Sequence, residues 1–215
     1  MYLPNYNSYF VHVPKCAGTS VTLFFFEMHG IKIRNPRRIF EQLGRSLGSK
    51  FHYGNHVPGL RYETQHLSAF HCIKHGLKEF TEAKYTFAFV RNPWHRFVSE
   101  TIWKQEVLFP DHTIDKQLLM HQREARGGVD RIIPHNTPMW KMLYDNDGKL
   151  LVDDVFKVED MKRAEKKLSE VFKTKVEFGH HNTTVREDYD YYLTPNVRRQ
   201  LLPAIEKDLE LFNYE

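Results

Sequence analysis

Apolar residues along this chain fall into short runs suited to buried strands, separated by stretches in which they recur at helical spacing. The first run, Tyr9-Phe10-Val11-His12-Val13, leads into Pro14-Lys15-Cys16-Ala17-Gly18-Thr19-Ser20, and an apolar-rich stretch from Val21 to Glu27 follows. This order predicts a strand, a turn of small residues and the opening of a helix. Tyr85 to Val90 is a second continuous apolar run, and Leu150 to Val158 is a third. Between the first two, Asn35-Pro36 is a cap-and-proline helix start, with Ile39, Phe40, Leu43 and Leu47 behind it. The segment from Phe51 to Arg61 mixes breakers, histidines and aromatics and reads as a loop. His66 to Phe70 opens another helix, which Gly76 is placed to end, and Ile114 to Arg126 reads as a further one. Glu159 to Phe172 carries Met161, Ala164, Leu168, Val171 and Phe172 in a helical pattern. The last helix opens at Thr194-Pro195, and Pro203 inside it should bend or divide it. Alternating strands and helices predict an α/β fold, a three-layer sandwich with a mainly parallel central sheet.

Composition narrows the picture. The 215 residues read as one domain, 1–215, and 41% hydrophobic with 14% aromatic content argues against disorder. A net charge of +4 suits an anionic ligand but is too mild to point to nucleic acid. Cys16 and Cys72 are too few for a disulfide framework, no basic-then-apolar leader precedes the first strand, and no apolar stretch reaches the roughly 18 residues of a membrane helix. A cytoplasmic location is therefore expected. The 13 histidines show no zinc-binding spacing, so no metal is expected, and most should lie on the surface or in loops.

Two segments carry candidate chemistry. In the first, a turn of small residues at a helix N-terminus offers backbone N–H groups and a favourable dipole to an anion. Gly18 permits close approach, Thr19 and Ser20 add hydroxyl donors, and Lys15 brings a full charge. A nucleoside-triphosphate loop would place Lys directly before Ser or Thr; here Lys15 precedes Gly18 by three positions. In the second, the strand Tyr85 to Val90 runs into Arg91-Asn92-Pro93-Trp94-His95-Arg96-Phe97-Val98-Ser99. Arg91 at the strand end and Ser99 on the following helix can meet one anion. Arg96 reads as a solvated or paired helical Arg, and Trp94 as equally suited to the core.

The order P-K-x-A-G-T-S after a strand resembles the 5′-phosphosulfate loop of sulfotransferases that use 3′-phosphoadenosine 5′-phosphosulfate (PAPS), with Cys16 where that family usually has Thr. The R-N-P-x-x-R-x-x-S segment is similar to their 3′-phosphate motif. The resemblance implies the P-loop-like sulfotransferase fold, with PAPS as donor and no metal required. It places Lys15, Gly18, Thr19 and Ser20 at the 5′ end of the donor and Arg91 and Ser99 at the 3′-phosphate. In the branch that modifies uronyl sugars, a His ahead of the second cofactor strand is the catalytic base, and His66 is the match. His12, His52, His56 and Glu27 are rivals for that role, and a capping or solvated His66 is the plainer reading. The region Gly179 to Arg186, with Tyr189 to Tyr192 and then Asp208, Phe212 and Tyr214, looks like the C-terminal part of the carbohydrate-type enzymes. Arg186 could reach the nucleotide from there or be a solvated loop residue.

The expectation is thus sulfuryl transfer from PAPS to an acceptor hydroxyl, with a saccharide favoured as the partner and no nucleic acid. Lys15 would neutralise the departing phosphate, and His66 would take the acceptor proton. A nucleotide-dependent kinase and a non-catalytic anion or nucleic-acid binder are the rival classes. Magnesium dependence separates the first from a sulfotransferase, and indifference to the 3′-phosphate separates the second.

Overall fold

A computed structural model describes residues 1–30, 66–130, 135–179 and 189–215. The helix expected after Pro36, the 51–61 loop and Arg186 lie outside the described residues. Four strands form one sheet in the order β1 (Tyr2–Leu3), β2 (Ser8–Val11), β3 (Tyr85–Val90) and β4 (Asp154–Lys157). β1 pairs antiparallel with β2, while β2, β3 and β4 run parallel, with Phe10 beside Phe87 and Phe89 beside Phe156.

The helices are α1 (Gly18–Met28), α2 (Ala69–Lys74), α3 (Lys78–Thr81), α4 (Pro93–Trp103), α5 (Ile114–Ala125), α6 (Trp140–Leu143), α7 (Met161–Phe172), α8 (Tyr189–Tyr192) and α9 (Pro195–Leu211). A π-helical turn, Lys104–Leu108, extends α4. Alternation along the strands assigns each face its cover. Phe87 packs edge-on or tilted against Phe25 of α1 and Phe172 of α7. Tyr9, on the opposite face of β2, meets Phe80 of α3 and approaches Cys72 of α2. Helices therefore lie on both faces of a mixed but mostly parallel sheet. A second buried cluster joins Phe97, Val98 and Ile102 of α4 to Leu118 of α5 and to Leu201 and Ile205 of α9.

Local sequence sets the element ends. Ser68 caps α2 by accepting from His71 N at 3.2 Å, and Gly76 closes it at φ 62 with Leu77 N bonded to Cys72 O. β4 is shorter than the apolar run suggests. Leu150 makes an isolated bridge to Tyr144 around the turn at Gly148, and Asp153 fixes the strand start by accepting from both Thr86 N and Thr86 Oγ1 at 2.7 Å.

Two expectations are corrected. α9 is not divided at Pro203, because the buried Val197, Leu201, Ala204, Ile205 and Asp208 on both sides of it anchor one continuous helix. Most of the described histidines are half-buried or exposed, while His12, His71, His112 and His121 are buried. Arg96 is neither solvated nor paired to a carboxylate. Its Nε donates to Pro14 O at 3.1 Å and its Nη1 to Thr137 O at 2.9 Å, which fastens α4 to the turn after β2.

Candidate active site

The turn between β2 and α1 is shaped by two non-glycine residues in the left-handed region, Lys15 at φ 64 and Ala17 at φ 58. Such conformations cost on the order of 1 to 3 kcal/mol each and concentrate where backbone geometry serves a ligand. Ala17 precedes α1 without a side-chain cap, and no acidic residue occupies the first turn. The helix itself supplies no acceptor for its first N–H groups, so the turn presents donors and a positive dipole end to an anion. Gly18 is buried, and a Cβ there would overlap the imidazole of His12. The space its missing side chain leaves is thus taken by His12. Ser20 is buried and Thr19 half-buried.

Cys16 does not substitute for a ligand-facing hydroxyl. Its side chain is fully buried, with Sγ 3.5 Å from Pro14 O and 3.6 Å from Met139 Sδ, and burial pushes its thiol up to about 12.

The second motif converges on the same turn. Asn92 caps α4 through its side-chain oxygen, which accepts from Trp94 N and His95 N, and Pro93 takes the first helical position. This aims buried Arg91 back across the sheet end, where Nη1 donates to Lys15 O at 3.5 Å and Nη2 to the Tyr189 hydroxyl at 3.1 Å. Tyr189 in turn stacks on His95, 4.2 Å between centroids. Ser99 lies half-buried further along α4, and no hydrogen bond joins it to Arg91. Among the described residues, neither Lys15 nor Arg91 forms an ion pair with a carboxylate. Lys15 is brought down to about 8 by burial, with Glu100 pulling it up and Arg91 pushing it down. A half-buried Lys15 beside a buried Arg91, neither in an ion pair among the described residues, favours an anionic guest.

Beside Lys15 stands a group of imidazoles. His66, half-buried ahead of α2, donates from Nδ1 to His12 O at 3.1 Å; its ring lies 4.5 Å from that of His12 and 5.0 Å from that of His135. Burial first, then His135, push His66 down to about 3. His135 places Nδ1 3.2 Å from Oε2 of fully buried Glu100 and lies flat on the Trp103 indole, 4.6 Å between centroids. The same indole carries Lys15 Nζ at 5.2 Å. Burial would raise Glu100, yet the His135 bond together with Lys15 and Lys104 holds it at about 2. Lys104 Nζ sits 3.6 Å from its second oxygen.

Sequence reasoning singled out Lys15, Gly18, Thr19, Ser20, His66, Arg91, Ser99 and Arg186 as site residues, the last outside the described residues. The structure gathers Lys15 and Arg91 at the turn and brings His66 to Lys15 through His135 and Trp103. It adds Glu100, Trp103, His135 and Tyr189. Glu100 follows Ser99 directly and was visible in the motif, whereas a His in a breaker-rich loop such as His135 gave no local signal.

The chain matches the profile of the sulfotransferase family over residues 1–125, which include the segments around Lys15 and Arg91. It belongs to the sulfotransferase family. No curated protein and no solved structure matches it. Among the described residues no group of three or more His, Cys, Asp or Glu could hold a metal ion, and no helix is long and apolar enough to cross a membrane.

Proposed function

We propose that this chain moves a sulfuryl group from PAPS to an acceptor hydroxyl, with a saccharide as the favoured acceptor. The observation that carries this reading is the bond from Arg91 to the Lys15 carbonyl, which links the two motifs at one end of the sheet, with no ion pair to a carboxylate at either cation among the described residues. Lys15, Gly18, Thr19 and Ser20 would hold the 5′ end of the donor, Arg91 and Ser99 the 3′-phosphate, and Arg186 would add a contact from outside the described residues. The donor supplies an activated sulfuryl group whose leaving phosphate gathers charge. Lys15 and the backbone donors meet that charge as it grows, so their stabilisation is greatest at the transition state. The acceptor proton passes to an imidazole of the group around His66.

A kinase is the less suited class. β3 ends in Arg91, where a triphosphatase-like site would place a carboxylate for magnesium. The test is incubation of PAPS with a panel of saccharides, alcohols and phenols, read as product mass. Gain of one sulfuryl group by a saccharide supports the proposal in full. Transfer only to phenols corrects the acceptor, and binding of ATP with magnesium in preference to adenosine 3′,5′-bisphosphate overturns the reading.

A further inference from the structure

The geometry points to His135, oriented by Glu100, as the group that takes the acceptor proton, with His66 forming the wall beside it. This rests on the sulfotransfer reading above and decides which imidazole does the work. Glu100 sits in a setting where a carboxylate has three neighbours that favour its ionised form: His135, Lys15 and Lys104. A carboxylate only accepts, so neutral His135 must carry its proton on Nδ1, donate it to Glu100 Oε2, and leave Nε2 as a bare acceptor. No hydrogen bond engages that Nε2 among the described residues. Trp103 fixes the plane of the ring from one side, and the His66 ring meets it edge-on. Because Trp103 also carries Lys15 Nζ, the bare nitrogen and the cation that meets the leaving phosphate are set by one indole.

His66 is differently placed. Its Nδ1 is tied to a neutral backbone carbonyl, and its ring lies between those of His12 and His135. A proton arriving there would make an imidazolium in a buried setting that faces two further imidazoles. A proton arriving at His135 makes an imidazolium opposite a buried carboxylate, which is the arrangement that lets a carboxylate-held His act as base in hydrolases. In the step itself, the acceptor oxygen forms its bond to sulfur as the bond from sulfur to the 5′-phosphate oxygen breaks. The electron pair leaves on the phosphate, near Lys15, and the hydroxyl proton moves to Nε2 of His135. Among the described residues, charge on His135 is felt by Glu100 of α4, His66 from the segment before α2 and His12 after β2, while Lys15 and Lys104 act on the same Glu100.

Two measurements test the assignment. The first is nitrogen NMR of the wild-type protein with labelled histidine, with the His135 signals assigned by their loss in His135→Gln. Neutral His135 should carry its proton on Nδ1, and in Glu100→Gln that preference should weaken; neutral His135 protonated on Nε2 would overturn the proposal. This readout needs no turnover. The second follows release of adenosine 3′,5′-bisphosphate from PAPS with water as acceptor. His135→Gln should lower the rate by about a hundredfold or more, the usual contribution of a general base, and His66→Gln by less than tenfold, with bisphosphate affinity unchanged in both. Glu100→Gln should lower the rate and move the acid limb of the pH profile to lower pH. A larger loss in His66→Gln than in His135→Gln would overturn the assignment and leave sulfotransfer standing. If the wild-type protein binds no bisphosphate, the sulfotransfer reading itself fails.

Discussion

The space above Gly18 is occupied by the His12 imidazole, so the first residue of α1 and the end of the first long strand interlock. A methyl group at position 18 would overlap that ring. His12 cannot swing away freely, because it is stacked between Phe10 and His66. Gly18→Ala should therefore cost about 1 to 3 kcal/mol, the usual range for overpacking. Urea denaturation of the single variants and of Gly18→Ala/His12→Ala checks this. The double variant should be more stable than the sum of the two single losses predicts, because the ring that clashes is gone.

Arg96 is a structural tie between α4 and the turn. Arg96→Ala should remove two charge-assisted bonds to buried carbonyls, each of the class worth about 1.5 to 3 kcal/mol, and so should lower stability by several kcal/mol. Arg96→Lys should recover only part, since one ammonium cannot reproduce the two directions of the guanidinium. Thermal unfolding of the three proteins gives the order.

Acid stability should report the buried imidazoles. His121, packed against Phe97 at 5.2 Å, is pushed down to about 3, first by burial and then by Arg96. Its folded value lies below the unfolded one of about 6.5. The stability it contributes is thus complete above pH 6.5 and is lost as pH falls towards 3, with a slope of at most about 1.4 kcal/mol per pH unit. His121→Phe should flatten that part of the stability curve. An unchanged slope between pH 6.5 and 4 would show that His121 is not buried neutral.

Much of the frame was legible because period and caps agreed. Tyr85 to Val90 was a clear buried strand, Thr194-Pro195 a clear helix start, and residue order at the strand ends singled out the segments around Lys15 and Arg91. What escaped were contacts between segments far apart in sequence. Nothing local marks Arg96 as bound to Pro14 and Thr137, or Asp208 as the acceptor for Met139 N and Trp140 N at 2.9 and 2.8 Å. Glu100 and His135 are likewise 35 positions apart. Pro203 leaves α9 undivided because burial on both sides of it outweighs the lost backbone bond.

In the proposed reaction Lys15 acts on the leaving group. Lys15→Met keeps a side chain of similar length and removes the charge that sits over Trp103. Turnover should fall more than donor binding does, because the charge it meets develops in the transition state. Comparison of rates at saturating PAPS with calorimetric affinities separates the two. Equal losses in both would assign Lys15 to binding alone.

The central claim is one nucleotide site shared by the turn around Lys15 and the strand end at Arg91. Calorimetric titration of adenosine 3′,5′-bisphosphate and adenosine 5′-phosphosulfate into the wild-type protein and Arg91→Ala, without magnesium, tests it most directly. The account predicts that Arg91→Ala weakens the bisphosphate by about ten- to a hundredfold, the loss of a charge-assisted contact, and leaves the phosphosulfate nearly unaffected. Equal weakening of both ligands in a folded variant, or no bisphosphate binding by the wild-type protein, would contradict it.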